Sequence, residues 1–271
     1  SIKYKNQAKS KNTMPKIKIT LPDGSVKEYS KGITAGEIAF DIGRRLGEDA
    51  LIARINGVLK DLSIPINEDS TLQIITYKDK EGIEVFRHST AHLLAHAVVE
   101  LFPDAKPTIG PAIEDGFYYD FGINHHFIPE DLAKIEQRMH EISKKDCKAE
   151  RIELNENEAK RMFKDNKYKI ELIEDFHKEK QQLSAYKQGN FTDLCRGPHI
   201  PNTGKIKAFK LTKASAAYWR GDSENDQLQR IYGISFPEKN MLDAHLKLVE
   251  EARKRDHRKI GKELEWFNFF E

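Results

Sequence analysis

The segment from Phe86 to Phe102, FRHSTAHLLAHAVVELF, combines a helical apolar pattern with three histidines. Its apolar residues recur every three to four positions, at Phe86, Leu93, Ala97 and Leu101. His88 and His92 are four residues apart, so a helix directs both imidazoles to the same side. His96 lies one turn further on. At about 3.6 residues per turn it drifts toward the apolar stripe, where we expect a structural role.

A second pair of reactive side chains, Cys195 and His199, lies in DLCRGPH about a hundred residues further along the chain. Gly197 and Pro198 disfavour a helix between them, so we expect a loop that turns sharply and presents its side chains. Each member of the two pairs can bind a metal or transfer a proton near neutral pH. If folding brings the pairs together, they form one site.

Each pair also has a simpler interpretation. A histidine pair on an amphipathic helix is usually exposed or satisfied in the core, and a cysteine four residues before a histidine is no more specific. Asp193, two residues before the cysteine, adds a third type of group that active sites use. Spacing alone leaves both interpretations open.

Length and composition are those of an ordinary water-soluble protein. The 271 residues suffice for two modest domains, and 38% are hydrophobic and 32% charged. No apolar run approaches the roughly 20 residues that cross a bilayer, so we expect no membrane association. Two cysteines do not suggest a disulfide framework, which favours a reducing, cytoplasmic location.

The net charge of +2 conceals two basic regions. Residues 1–18 contain six lysines and no acidic residue, and EEARKRDHRKIGK near the other end is again basic. This distribution fits a polyanionic partner such as RNA, although a solvated tail and a solvated helix face would look the same. We expect residues 1–13 to be a disordered basic extension.

The chain divides into three further parts, with an α+β fold. In the first, residues 14–77, KIKITLPDGSVKEY predicts a hairpin, and Ile38, Ile42 and Leu46 predict one helix before two more strands. The second, residues 83–240, contains the histidine helix, a strand at GFYYDF, a helix that Pro129 opens and a capping box at Asn155. The third, residues 241–271, is a helix whose inward face we expect to be formed by Leu242, Leu246, Val249, Ile260 and Leu264.

Seven motifs, in this order, resemble the N-terminal part of bacterial-type threonyl-tRNA synthetases. They are LPDG, FRHSTAHLLAHAV, IGPAIEDGFYYD, DLCRGPH, AYWRGD, LQRIYG and KRDHRKIGKEL, and the resemblance covers residues from about 14 to 271. The resemblance implies a small ubiquitin-like β-grasp (TGS) domain, a larger α+β editing domain and a linker helix toward an aminoacylation domain whose motifs are absent here. The two reactive pairs alone would also suit the alanyl-type editing domain and its free-standing deacylase relatives.

The resemblance implies hydrolysis of seryl-tRNA(Thr), in which an activated water attacks the aminoacyl ester. By motif match, the catalytic residues are His88, His92, Cys195, His199, Asp193 and Lys169. Without that match Lys169 would equally be an exposed strand lysine. Tyr119, with Tyr218, Trp219 and Arg220 of AYWRGD, would contact the substrate. Tyr218 and Trp219 could stack on the terminal adenosine, although strand aromatics are more often core, and the sequence alone favours Tyr119 as a half-buried strand aromatic. The residues expected to contact tRNA phosphates are Arg253, Lys254, Arg255, Arg258 and Lys259.

Two alternatives remain at this point. Three histidines and a cysteine are an acceptable zinc set, but four protein ligands leave no open position for water, so we expect editing to require no metal. The second alternative is a non-catalytic RNA-binding module. The expected partners are serine-charged tRNA(Thr) and the aminoacylation domain of a full-length enzyme, with a homodimer only in that full-length context.

Overall fold

The computed structural model describes residues 15–267, with side chains to residue 255. Contacts divide the chain into two compact units, with the boundary in the sequence between Thr76 and Tyr77. Both units combine helices and strands, so the expected α+β class is confirmed. No helix among the described residues is both long and apolar enough to cross a bilayer.

The first unit contains a mixed five-stranded sheet. Its elements are β1 (Lys16–Thr20), β2 (Val26–Ser30), β3 (Ile33–Thr34), α1 (Ala35–Ile42), α2 (Arg44–Asp49), β4 (Ala50–Ile55), β5 (Val58–Asp61), β6 (Pro65–Ile66) and β7 (Ser70–Thr76). The sheet order is β2-β1-β7-β4-β5, and β3 pairs separately with β6. The expected hairpin joins β1 to β2, where Gly24 adopts a positive φ of 83°.

The single helix expected for Ile38 to Leu46 is wrong, because the structure has two short helices there. A capping box of Thr34 and Glu37 starts α1. The helix ends where the backbone N–H of Gly43 donates to the carbonyl of Ala39. The backbone of Gly43 is extended before α2 begins. Apolar spacing survives such a break, so periodicity alone does not distinguish one helix from two.

The second unit carries the two reactive pairs. Its elements are α3 (Lys80–Leu101), β8 (Lys106–Pro107), β9 (Ala112–Ile113), β10 (Gly116–Gly122), α4 (Pro129–Lys144), β11 (Ala149–Leu154), α5 (Glu156–Met162), α6 (Lys167–Lys178), β12 (Leu183–Gln188), β13 (Phe191–Leu194), β14 (Ala208–Tyr218), β15 (Gln227–Phe236) and α7 (Lys239–Phe267). The histidine helix, the helix after Pro129 and the capping box at Asn155 are present as predicted.

Two antiparallel sheets position the functional groups of this unit. One has the order β14-β15-β10-β8, with β9 also on β10, and the other is β11-β12-β13. Helix α3 packs against β10 and β15. Alternate residues of β10, including Phe117, Tyr119 and Phe121, are almost fully buried. Strand β13 ends immediately before Cys195. Its Asp193 contacts Tyr119 of β10 and His92 of α3, so these three elements converge on one region.

The inward face expected for the last helix is only partly correct. Leu242 is 8% exposed, but Leu246 is 37% and Val249 is 53% exposed. The apolar row therefore continues beyond the strands that cover its first turn, because β14 and β15 contact only part of α7. The side chains of Ile260 and Leu264 lie outside the described residues.

Candidate active site

Folding brings the two reactive pairs together. His88 and His92 project from consecutive turns of α3, and Cys195 and His199 lie in the loop that follows β13. Their ligand atoms all lie within 4.8 Å of one another. The His92 and His199 rings meet edge to face with centroids 4.4 Å apart, so these four residues, the quartet, form one cluster.

The sulfur of Cys195 is at the centre of the quartet. It lies 3.1 Å from Nε2 of His88 and 3.3 Å from Nε2 of His199, and it accepts a hydrogen bond from the backbone N–H of Gly197 at 3.3 Å. Burial opposes ionisation of the thiol, but the facing histidines outweigh it and hold the Cys195 pKa well below its ordinary value. The site therefore contains a thiolate surrounded by N–H donors.

His88 is held from both sides of its ring. Its Nδ1 donates to the carbonyl of Gly110 at 3.0 Å, which leaves Nε2 to face the thiolate. Burial favours the neutral imidazole, but the sulfur of Cys195 and the Gly110 carbonyl outweigh it and raise the His88 pKa. His88 and Cys195 thus tend toward an imidazolium–thiolate pair.

His199 is oriented by a serine that lies between the two histidines of the helix. The hydroxyl of Ser89 is 3.3 Å from His199 Nδ1 and accepts the backbone N–H of Ile200 at 3.2 Å. Burial lowers the His199 pKa to about 3, so this imidazole is neutral at physiological pH. A neutral ring that directs Nε2–H toward the sulfur accepts a hydrogen bond from the Ser89 hydroxyl at Nδ1.

A buried polar group supports the quartet from behind. The ammonium of Lys169 lies 2.6 Å from Oδ1 of Asp193 and donates to the carbonyl of Thr108 at 2.6 Å. The hydroxyl of Tyr119 donates to Oδ2 of Asp193, and Lys169 Nζ is 3.4 Å from that hydroxyl. The same carboxylate oxygen is 3.3 Å from Nδ1 of His92, so Asp193 connects this group to the quartet.

Burial and the neighbouring polar groups act in opposite directions on the pKa of Asp193. Burial raises the Asp193 pKa, but the ammonium of Lys169 and the hydrogen bonds from Lys169 and Tyr119 outweigh it and leave the pKa below its ordinary value. Burial is also the main reason why the His92 pKa falls to about 3, and it raises the pKa of Tyr119 well above 10. His92 is therefore a neutral imidazole with Nδ1 3.3 Å from a carboxylate oxygen, which favours the tautomer with the proton on Nδ1 and a lone pair on Nε2.

Two expectations about these residues need correction. The alternative interpretation of Lys169 as an exposed strand residue is wrong, because it lies in the first turn of α6 and is 2% exposed. Asn166 caps that helix and also donates to the carbonyl of Pro107, which brings Lys169 to the sheet. Tyr119 is 1% exposed rather than half-buried.

The residues of AYWRGD lie against the side of α6. The indole N–H of Trp219 donates to Glu171, and Arg220 pairs with Asp175 of the same helix. Trp219 packs in a buried cluster with Tyr168 and Leu228 and is 5% exposed, so its ring is not available to stack on a base. Tyr218 is 42% exposed. The described contacts of Trp219 and Arg220 do not include the quartet.

The other expected residues fall into three groups. His96 has the structural role predicted for it, because it contacts Asn190 and Gln188 rather than the quartet. Arg253, Lys254 and Arg255 are exposed on α7, as an electrostatic contact requires. Arg258 and Lys259 have side chains outside the described residues.

Ser89, Thr108 and Gly110 belong to the site although sequence patterns did not single them out. Two of them contribute backbone carbonyls, which leave no trace in the residue type. Ser89 gave a weak signal, since a small polar residue lies between two histidines on a helix with an apolar face. Its burial, at 3% exposed, is what makes it significant.

The quartet also fits a metal by its donor atoms. Nitrogen and sulfur ligands bound to tetrahedral zinc at about 2.0 to 2.3 Å lie roughly 3.3 to 3.6 Å apart. The sulfur lies 3.1 and 3.3 Å from the two facing imidazole nitrogens. His88, His92, Cys195 and His199 could therefore hold zinc, but four protein ligands close its coordination shell and leave no position for a reacting water.

Comparison with known protein families finds one match in each unit. Residues 17–76 match the TGS domain, and residues 183–232, which include Asp193, Cys195 and His199, match the threonyl and alanyl tRNA synthetase second additional domain. The chain therefore contains a TGS domain followed by a region similar to the second additional domain of these synthetases.

Whole-chain similarity indicates the threonyl branch. The chain is 52% identical over 257 residues to the threonine–tRNA ligase of Desulforamulus reducens, which is 94% of this chain and 40% of that protein. It is 54% identical over 253 residues to the enzyme of Coxiella burnetii, 93% of this chain and 39% of that protein. The resemblance to bacterial-type threonyl-tRNA synthetases is confirmed, and the chain spans about two fifths of the length of these relatives.

Proposed function

We propose that the second unit hydrolyses the ester that joins serine to tRNA(Thr). The observation that carries this proposal is the quartet itself, a half-buried cluster of three imidazoles and a thiolate. Behind it lies a buried lysine–aspartate–tyrosine group. The match to the second additional domain of threonyl and alanyl tRNA synthetases and the similarity to threonine–tRNA ligases support the substrate class.

There is a physical reason for such an activity in this branch. Serine is threonine without one methyl group, and a missing methyl in a pocket is worth only about 1 to 3 kcal/mol of discrimination. A synthetic site therefore attaches serine at a damaging rate. A second site that accepts the smaller seryl ester and misplaces the threonyl ester restores fidelity.

In the proposed reaction His92 is the general base. Asp193 holds the proton on Nδ1, so Nε2 of the neutral ring is free to accept a proton from water. The water oxygen then bonds to the ester carbonyl carbon. Lys169 is a positioning residue, because its ammonium is engaged by Asp193, Thr108 and Tyr119 and fixes the carboxylate that orients His92.

His88 is the proposed general acid. Its raised pKa keeps a proton available on Nε2, which stabilises the tetrahedral oxyanion and then protonates the departing ribose oxygen. The bond between the carbonyl carbon and the ribose oxygen breaks, and serine and tRNA leave. Proton exchange with solvent returns the proton from His92 and reloads His88. Cys195 acts here as the counter-ion of His88 rather than as a nucleophile.

The test is deacylation of the same tRNA(Thr) charged with serine or with threonine. We expect the chain to release serine much faster than threonine and faster than spontaneous hydrolysis. His126→Gln is the matched control, because that histidine is exposed. Equal rates with and without protein on the seryl ester would leave only the second candidate, a tRNA-binding module that relies on the exposed cations of α7.

The remaining assignments are part of the same proposal. The domain bounds are 14–77 for TGS, 83–240 for editing and 241–271 for the linker helix, after a basic extension of residues 1–13 that lies outside the described residues. An aminoacylation domain is the proposed partner in a full-length enzyme, which would form the homodimer. The proposed location is the cytoplasm, and the proposed reaction requires no cofactor.

A further inference from the structure

A cleft of about 630 Å³ lies in the second unit at the start of α3. One wall consists of residues in and just before the first two turns of that helix, among them Lys80, Glu84 and Arg87. The other wall is β9, where Ala112 and Ile113 face the opening. None of these residues belongs to the proposed catalytic group.

The cleft is in line with the quartet. Lys80, Glu84, His88 and His92 follow one another at four-residue spacing, so they form one row along α3. Glu84 is one turn from His88, which corresponds to about 6 Å along the helix axis. On the opposite wall, Gly110 accepts the His88 hydrogen bond two residues before β9 begins. Glu84 at the cleft and His88 in the quartet are therefore neighbours on the same side of the helix.

The lining has the chemistry that a nucleotide requires. Lys78, Lys80 and Arg87 supply three positive charges against the two carboxylates of Glu84 and Glu114. Arg87 donates to the backbone carbonyls of Ile113 and Glu114, so its contacts there are with neutral groups. Its Nε is enclosed and has no hydrogen-bond acceptor among the described residues.

The cleft also offers apolar surface. Ile83, Ala112 and Ile113 contribute aliphatic side chains, and Ile113 is 38% exposed. A nucleoside phosphate presents a flat base beside an anionic group, which matches an aliphatic surface beside a cationic one. Free serine carries a carboxylate but no large apolar group, so it cannot use the aliphatic surface.

We propose that this cleft binds the phosphodiester and base of the acceptor-end nucleotide adjacent to the one that carries the amino acid. The inference rests on the proposed function, because the esterified ribose must lie at the quartet. It identifies a second contact, which binds tRNA without taking part in the bond cleavage. A seryl ester of adenosine, which has no preceding phosphate, does not use it.

Two variants of one ion pair separate a charge effect from a structural one. Lys80 and Glu84 form an exposed pair at 3.9 Å, and Lys80→Gln or Glu84→Gln removes it equally. If the cleft binds a phosphate, Lys80→Gln raises KM for seryl-tRNA about threefold to tenfold, and Glu84→Gln lowers it. In a plot of the logarithm of the binding constant against the logarithm of the salt concentration, Lys80→Gln also makes the slope shallower by about 0.7 per lost phosphate contact. Lys164→Gln, at an exposed position on another part of the unit, is the matched control.

Three measurements complete the design. Deacylation of seryl-tRNA gives kcat and KM, hydrolysis of 3′-O-seryl-adenosine reports the quartet alone, and anisotropy of a 5′-labelled RNA ending in CCA reports binding without hydrolysis. We expect both variants to keep the kcat on seryl-tRNA and the rate on seryl-adenosine of the unmodified chain. Opposite shifts in RNA affinity for the two variants support the cleft even if neither ester is hydrolysed, in which case only the proposed function fails. Shifts in the same direction, no shift, or equal slowing on both esters overturns the inference.

Discussion

Lys169 and Asp193 form an ion pair in the interior of the second unit, with Nζ 2.6 Å from Oδ1 and side chains 2% and 1% exposed. The two residues come from different elements, one from the first turn of α6 and the other from β13. Removal of either partner leaves a charge in a medium that solvates it poorly. This pair therefore connects the stability of the fold to the orientation of His92.

The first prediction concerns the free energy of unfolding. We expect Lys169→Met and Asp193→Asn each to lower it by about 3 to 5 kcal/mol in urea titrations, because each strands a buried charge. The double variant should lose clearly less than the sum, since no charge is then unpaired. Asp243→Asn, which breaks an exposed pair with Lys239, should change stability by less than about 1 kcal/mol. Strict additivity in the cycle would contradict the coupling.

The second prediction concerns catalysis by His92. His92→Asn keeps a donor near Asp193 but removes the lone pair of Nε2, and we expect kcat for seryl-tRNA to fall about 100-fold to 10,000-fold. KM should change little, because the proposed role is proton transfer rather than binding. Single-turnover deacylation at saturating protein measures this directly. An activity comparable to that of His126→Gln would remove His92 from the mechanism.

The third prediction concerns the pH dependence of stability. The pKa of both His92 and His199 is about 3 in the folded chain, against about 6.5 in the unfolded chain. Below pH 6.5 the unfolded state therefore binds more protons, so stability falls as the pH drops toward 3. We expect a loss on the order of 1 kcal/mol per pH unit for each histidine between about pH 6 and pH 4. In His199→Gln this slope should be smaller, and an unchanged slope would show that His199 is not buried in its neutral form.

The fourth prediction concerns the thiol of Cys195. An ordinary thiol with a pKa of about 8.5 loses close to a hundredfold in alkylation rate between pH 8 and pH 6. Because the Cys195 pKa is held well below its ordinary value, we expect its rate with iodoacetamide to fall less than tenfold over that range. Cys147→Ser leaves Cys195 as the only cysteine for the measurement. A steep decline would mean that the imidazolium–thiolate pair does not form.

The fifth prediction concerns zinc. We expect exhaustive chelation followed by metal analysis to leave the rate of serine release unchanged, because a four-ligand set provides no open coordination position. Zinc added to the chelated protein should inhibit, since it occupies the nitrogen and sulfur atoms that the reaction uses. Loss of activity on chelation and recovery with zinc alone would favour the zinc-dependent alternative.

Sequence patterns predicted the local elements best where the physical signal is short-range. The helix around His88, the hairpin before Val26 and the helix that Pro129 opens depend on residues within a few positions of one another. The same reasoning failed for the helix through Leu46 and for the outer part of α7. The first failure comes from the break at Gly43, which apolar spacing does not reveal. The second depends on which strands pack against α7, and that is not a local property.

By itself, the sequence of this protein determined most of its helices and strands, its motifs, and which side chains can bind a metal or transfer a proton. Turn residues, caps and apolar spacing act between residues that are close in the chain, so they can be recognised in the sequence. The tertiary structure decided which of those side chains share a site and in what charge state. The Lys169 ammonium, the Ser89 hydroxyl and the Gly110 carbonyl contact the candidate site only because α6, α3 and the loop before β9 meet in the fold. Burial and the distance between charges set a pKa, and both depend on contacts between residues that are far apart in the chain.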